Sequence, residues 1–305
     1  MAQWRNRLAL VKAEDTYGTN STPSASDALM FTELDVTPVE LELKERDTIQ
    51  SVMGNRPSVV LKKSTPVKAT VELAGSGVAG TAPRWGPMMK ASGMSETVTA
   101  GTSVVYAPVN TGFSSYTMDF FADNGSRQAI TGLRGSAEVK LTAEDFGTIA
   151  FDHMGIFNAP AALARPTETY TNQATPIAAN SDTMPVVSVH GFNACMLEFS
   201  LSFGIEMVYH QRPGCTKQVK ITNRKPTGSI KIELPTIQAK DFIAAAVAQD
   251  AAAITWTLNG PAGNIIAFSG PDCAFDTPTL DEADDITNIT LPFRPLIQNF
   301  TFTLT

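Results

Sequence analysis

The sequence predicts a mainly β protein: two tandem β-sandwich or barrel units, each with a short flanking α-helix. Three observations carry this. Apolar and polar residues alternate with period two through several short stretches. Helical patterning is confined to two places. The order of elements that begins at residue 31 recurs from residue 192.

The alternation is cleanest in residues 67–73, where Val67, Ala69, Val71 and Leu73 fall on one face and Lys68, Thr70 and Glu72 on the other. Residues 229–234 repeat it, with Ile230, Ile232 and Leu234 against Lys231 and Glu233. One polar and one apolar face is the signature of a half-buried antiparallel strand. Further strands are predicted at residues 116–121, 137–141, 148–152, 196–203, 254–258, 286–291 and 300–304. The clearer helix is predicted over residues 241–253, where alanines supply propensity and Phe242, Ile243 and Val247 an apolar stripe. A shorter one is predicted over residues 84–92.

Residues 31–73 read strand, long polar hairpin, strand, and residues 192–234 do the same at an offset of 161 that matches Phe31 to Phe192 and Glu72 to Glu233. A helix follows in each series, then a strand, a glycine-containing turn, a strand ending at Gly135 or Gly270, and a final strand pair. Few letters match, so the order of elements carries the reading of an internal duplication. The predicted boundaries are a first unit at 1–157, a linker at 158–185 rich in Pro, Thr and Asn, and a second unit at 186–305.

Composition narrows the function. Charged residues make up 17% of the chain, below the roughly 25% of an ordinary soluble domain. A chain with so few charges has surface to hide in an oligomer. The net charge of −7 argues against a grip on nucleic acid, which needs clustered Lys and Arg. Cys195, Cys215 and Cys273 imply no disulfide framework and fit a reducing compartment. The N-terminal stretch has no apolar core of a signal peptide, and no run of apolar residues is long enough to span a membrane.

Several patterns imitate chemistry. Gly75-Ser76-Gly77-Val78-Ala79-Gly80 spells G-x-G-x-x-G after a strand, but Pro83, Gly86 and Pro87 block the long helix a dinucleotide site needs. It reads as a flexible connection whose glycines permit positive φ. His190 with Cys195 and His210 with Cys215 are spaced too loosely for structural zinc. The acidic run from Asp281 to Asp285 lacks the order and glycine of a calcium loop and reads as a solvated loop. Glu14-Asp15 and Glu144-Asp145 read as isolated surface pairs. No nucleophile elbow, metalloprotease helix or P-loop is present, so no catalytic, cofactor or metal residue is assigned.

Three stretches resemble major tail tube proteins of long-tailed bacteriophages: residues 8–19 (LALVKAEDTYGT), 70–86 (TVELAGSGVAGTAPRWG) and 96–104 (ETVTAGTSV). The resemblance is strongest over residues 8–155. It implies a tube domain whose inner sheets join in rings, the rings stacking into a hollow tail through which DNA passes. It also implies a virion location after synthesis in the host cytoplasm, and tape measure, tail terminator and tip proteins as partners. Members with two fused tube domains form trimeric, pseudo-sixfold rings, and the duplication places this chain with them. The hairpins carry the predicted assembly residues: Glu42, Lys44, Glu45, Arg46, Asp47 and Arg56 in the first, Glu206, Arg212, Lys217 and Lys220 in the second. Open alternatives are another β-rich virion or secretion-tube component, such as a sheath or terminator, and a ligand-binding β-sandwich with an aromatic patch of Trp4, Trp85 and Trp256.

The strand-face assignment predicts that Ile232→Asp, a charge on the core face, prevents folding. Circular dichroism and solubility check it; a soluble, assembling variant would mean the faces were read backwards.

Overall fold

The computed structural model describes every residue except Met1, Ala2, Gln50, Val52 and Asp284, and every remaining side chain except those of Trp4 and Gln298. The first half comprises β1 Leu8–Ala13, β2 Glu33–Val36, β3 Glu40–Glu45, β4 Ser58–Glu72, α1 Gly86–Ala91, β5 Met94–Thr99, β6 Ser103–Pro108, β7 Tyr116–Ala122, β8 Ser126–Thr142 and β9 Thr148–Ile156. A two-residue strand, β10 Ala161–Ala162, follows. The second half comprises β11 Val187–Val189, β12 Phe192–Asn193, β13 Met196–Ser202, β14 Ile205–His210, β15 Gln218–Arg224, β16 Thr227–Glu233, α2 Phe242–Ala248, β17 Ala252–Leu258, β18 Ile266–Phe275, β19 Thr279–Ala283, β20 Ile286–Pro295 and β21 Thr301–Leu304.

All ladders are antiparallel. In the first half β1 pairs with β7, β7 with β8, β8 with β9, β9 with β4, and β4 with β2 and β3. In the second, β11 pairs with β17, β17 with β18, β18 with β20, β20 with β16, and β16 with β13. The β14–β15 ribbon stands where β3 and the outer part of β4 stand. Among the described residues two ladders join the halves. In the first β13 pairs with β8, Leu201 opposite Val139. The C-terminal β21 pairs with both β18 and β6.

The main apolar core runs through both halves, with a small satellite cluster of Leu8, Leu10, Ala28 and Phe121 beside it. Its densest part is aromatic: Phe199 lies 5.4 Å from Trp256 and 5.0 Å from Phe268, centroid to centroid, and Phe268 lies 5.2 Å from Phe302. Burying each such ring contributes about 1.5–3 kcal/mol, with up to about 1.5 more from edge and offset contacts. The alternating stretches behave as the sequence predicts. Val67, Ala69, Val71 and Leu73 are buried, as are Ile230, Ile232, Phe302 and Leu304.

Six local expectations are corrected. The helix predicted over 241–253 stops at Ala248. Gln249 turns left-handed (φ 56°) and its side chain donates to the carbonyls of Ala246 and Phe275, which sends Ala252 into β17. Its buried stripe is Phe242, Ala245 and Ala246, while Ile243 and Val247 face outward. Gly135 and Gly270 lie inside β8 and β18 and end neither strand; a Cβ on Gly135 would meet the Asp152 carbonyl at 2.0 Å, so glycine there admits a close strand approach. The acidic run is partly strand, since Asp281, Glu282 and Ala283 belong to β19, while Asp284 lies outside the described residues. Glu14 is no surface residue: its carboxylate accepts from Gly18 and Gly132 amides and from Ser115 and Thr117 hydroxyls, clamping the corner of β1, β7 and β8. Leu234, past the end of β16, is exposed.

The offset of 161 holds for β4 against β16 but not for the strand before it. Ladder register puts Leu34 where Phe199 stands, an offset of 165, because the second hairpin is shorter by four residues.

His153 is fully buried. Ser92 spends its hydroxyl proton on the Met88 carbonyl, so the ring donates from Nε2 to Ser92 Oγ and accepts at Nδ1 from the Tyr116 hydroxyl. Burial pushes its pKa from 6.5 down to about 3. The unfolded chain therefore binds the extra proton between those values. The contribution is intact above pH 6.5 and lost as the pH falls towards 3. Urea unfolding at pH 7, 5 and 4 should show an acid-side loss of stability that His153→Gln flattens.

Candidate assembly surfaces

Three surfaces offer themselves for contact with other molecules: the β14–β15 ribbon, the β3–β4 arm and the polar face of the sheet. The ribbon is fastened to its own chain. Arg134 on β8 donates to the carbonyls of Ser114, Val219 and Phe113, and its guanidinium stacks 4.3 Å from the Tyr17 ring centroid. The Tyr17 hydroxyl accepts from the Val219 amide and donates to the Gly132 carbonyl. Arg224 donates to the carbonyls of Gly93 (2.7 Å) and Val109 (3.0 Å), just past the C-terminus of α1, where a cation also meets the negative end of the helix. Burial lowers the pKa of both arginines, but the ring of carbonyls replaces water around each.

The arm is built differently. All six residues of β3 are exposed, as are Val59, Val60 and Leu61 on β4. Leu43 sits opposite Val60, so the ribbon presents an apolar cross-strand pair to solvent. Val59, Val60 and Leu61 break the alternation of a half-buried strand and put apolar side chains on both faces of β4 there. Among the described residues of the single chain nothing covers them.

The predicted assembly residues divide accordingly. Glu42 forms an exposed ion pair with Lys62 at 2.7 Å, and Glu45 accepts the Arg56 amide at 2.8 Å, so both steady the arm itself. Lys44, Arg46 and Asp47 are exposed at and beyond the end of β3. Glu206, Arg212, Lys217 and Lys220 are exposed on the other ribbon, Glu206 3.7 Å from Lys225. The two sets stay on separate ribbons. The apolar Leu41, Leu43, Val59, Val60 and Leu61 were missed by reading the hairpin for charge; the alternation of Leu41 and Leu43 and the unbroken run Val59-Val60-Leu61 were the available signals.

The third surface is the polar face of the sheet formed by β2, β4, β9, β8, β13, β16, β20 and β19. Part of it is a groove of about 770 Å³ lined by Arg7, Asp35, Lys68, Thr70, Ser136, Glu138, Asp152 and Ser202, among others. Acidic groups lead along this face: Glu33, Asp35, Glu138, Asp152, Glu198 and Asp281 against Lys68, Lys140 and Lys231. Lys140 pairs with Glu138 at 3.2 Å and Lys231 with Asp281 at 2.6 Å.

The patterns that imitate chemistry are packing. In the G-x-G-x-x-G loop Gly77 and Gly80 take positive φ, and Gly75 and Gly77 bond Asn264 and Gly263 of the second half. Trp85 and Trp256 are core residues, and the Trp4 side chain lies outside those described. Among the described residues no three His, Cys, Asp or Glu side chains converge as a metal site. Among them too, no helix is long and apolar enough to cross a membrane.

A family model described as phage tail tube protein matches residues 4–303, nearly the whole chain. The chain belongs to the phage tail tube protein family. A search of curated proteins returned no match. Membership makes it a structural component of the virion tail, one that assembles with itself and with other tail parts. Open sheet edges and exposed apolar ribbons are in general templates for pairing with another chain.

Leu43→Asp and Val60→Asp should leave the isolated chain's stability within about 0.5 kcal/mol, since both side chains are already in water. They should abolish assembly. Thermal unfolding and sedimentation velocity on the same samples check both halves of this expectation.

Proposed function

We propose that three copies close into a ring of six similar β units, and that rings stack into a hollow tube through which DNA travels. The two units correspond to residues 1–157 and 186–305, joined by the strap 158–185. The recurrence of one ladder order in both halves, with β13 of the second already paired to β8 of the first, supports this most. A chain holding two units and one finished joint needs only one further joint per copy to close.

The polar face of the sheet then lines the lumen. Its excess of carboxylates repels the DNA backbone, so the wall guides without gripping. The role is structural and not catalytic. The tape measure protein fits within the lumen during assembly, and terminator and tip proteins meet the ends.

Electron microscopy of purified protein at high concentration, with rotational averaging of end-on rings, tests this reading. Stacked hollow rings of three copies with six lobes are the expected result. Rings of six copies would keep the tube and remove the two-unit arrangement.

A further inference from the structure

The polar-faced sheet ends, among the described residues, in two strands that each have one partner: β2, paired with β4, and β19, paired with β20. The joint within the chain tells what these ends fit. Val71 on β4 and Ile232 on β16 hold equivalent places. Val71 sits opposite Ile149 and that opposite Val139, while Ile232 sits opposite Ile289 and that opposite Leu280. Leu280 therefore holds the place of Val139. In the other direction Val67 sits opposite Val36, and the equivalent Gly228 sits opposite Leu201. Val36 therefore holds the place of Leu201. Val139 and Leu201 are partners in the β8–β13 joint.

We propose that β19 of one copy pairs antiparallel with β2 of the next, Val36 opposite Leu280, so that the joint between chains repeats the joint within the chain. This rests on the ring proposed above and names its contact.

Burial follows the equivalence. Val139 is fully covered by its joint, whereas Leu280 is 58% exposed; Ile205, covered on the docked ribbon, is 8% exposed, whereas its counterpart Leu41 on the free arm is 43% exposed. The backbone agrees. The Thr37 amide donates to the Pro66 carbonyl, so the alternate residues Leu34 and Val36 turn their amides and carbonyls to the open edge. In the finished joint the Phe203 amide, at the next place after Leu201 on that side, donates to Ala137; the equivalent places on the free edges are Pro38 and Pro278, which have no amide, so the joint between chains is held by the Val36 and Leu34 rungs and ends there. Charge agrees at the rim: Arg7 donates to the Leu34 carbonyl, and the register brings Glu282 opposite Leu34. Asp35 comes opposite Asp281, with Lys68 beside the first and Lys231 on the second. With β2 seated, the arm rides over the neighbour as β14–β15 rides over β8, and Lys63 takes the place of Arg224.

The test uses Thr37→Cys with Thr279→Cys, both exposed in the single chain, in a Cys195→Ser, Cys215→Ser background. These positions face each other as a non-hydrogen-bonded pair, whose spacing suits a disulfide. Oxidation of assembled rings should move most of the chain into linked species on non-reducing gels. Asp35→Cys with Thr279→Cys, shifted by two positions, should stay unlinked. Hydrogen exchange on the unmodified protein gives a second reading: the Val36 and Leu280 segments should gain protection on assembly. Rings that form with the in-register pair unlinked and these segments still exchanging freely overturn the joint and leave the ring standing. A parent chain that stays monomeric at every concentration, with no link, overturns both.

Discussion

Strand β8 carries the molecule, because it pairs along its length with strands of both halves. Its N-terminal portion pairs with β7 and β10, and its C-terminal portion with β9 and β13. Between them the register slips from Thr131 to Arg134, with Gly132 at φ 63°. A bulge of this kind bends and twists a strand, which lets one chain segment leave one sheet and enter the other. The bend also aims Arg134 at the second half's ribbon. Without it the two halves would share only a linker and the short β6–β21 ladder.

The contrast between the two ribbons follows from what lies under each. Met207 and Ile221 occupy the same places on β14–β15 as Leu43 and Val60 on the arm. The first ribbon finds β8, Tyr17 and the end of α1 beneath it and is held by two carbonyl-bound arginines. The arm has the same architecture and no such floor among the described residues of its own chain. Apolar burial at about 25 cal/mol per Å² is thus left unspent on one side.

Alternation fixed β4, β16 and β21 in the sequence, because a half-buried strand has to place every second side chain in the core. Phe242 was legible as a core residue but Ile243 and Val247 were not, since propensity says nothing about which face of a short helix has a neighbour. The two hairpins looked alike for the same reason: both are polar, and docking depends on distant residues such as Arg134 and Tyr17. Glu14 passed for a surface acid because its four donors come from segments up to 118 positions away.

What the sequence determined by itself was the strand content, the repeated order of elements and the tail tube likeness, all set by local patterning and short motifs. Tertiary structure decided the rest: the β8–β13 joint, the 165-residue offset at β2, the polar face and the two open edges. Each of these is a matter of register between strands far apart in the chain. Alternation tells which face of a strand is buried, but it is silent about which strand lies beside it, because ladder hydrogen bonds are made by a backbone that every residue shares.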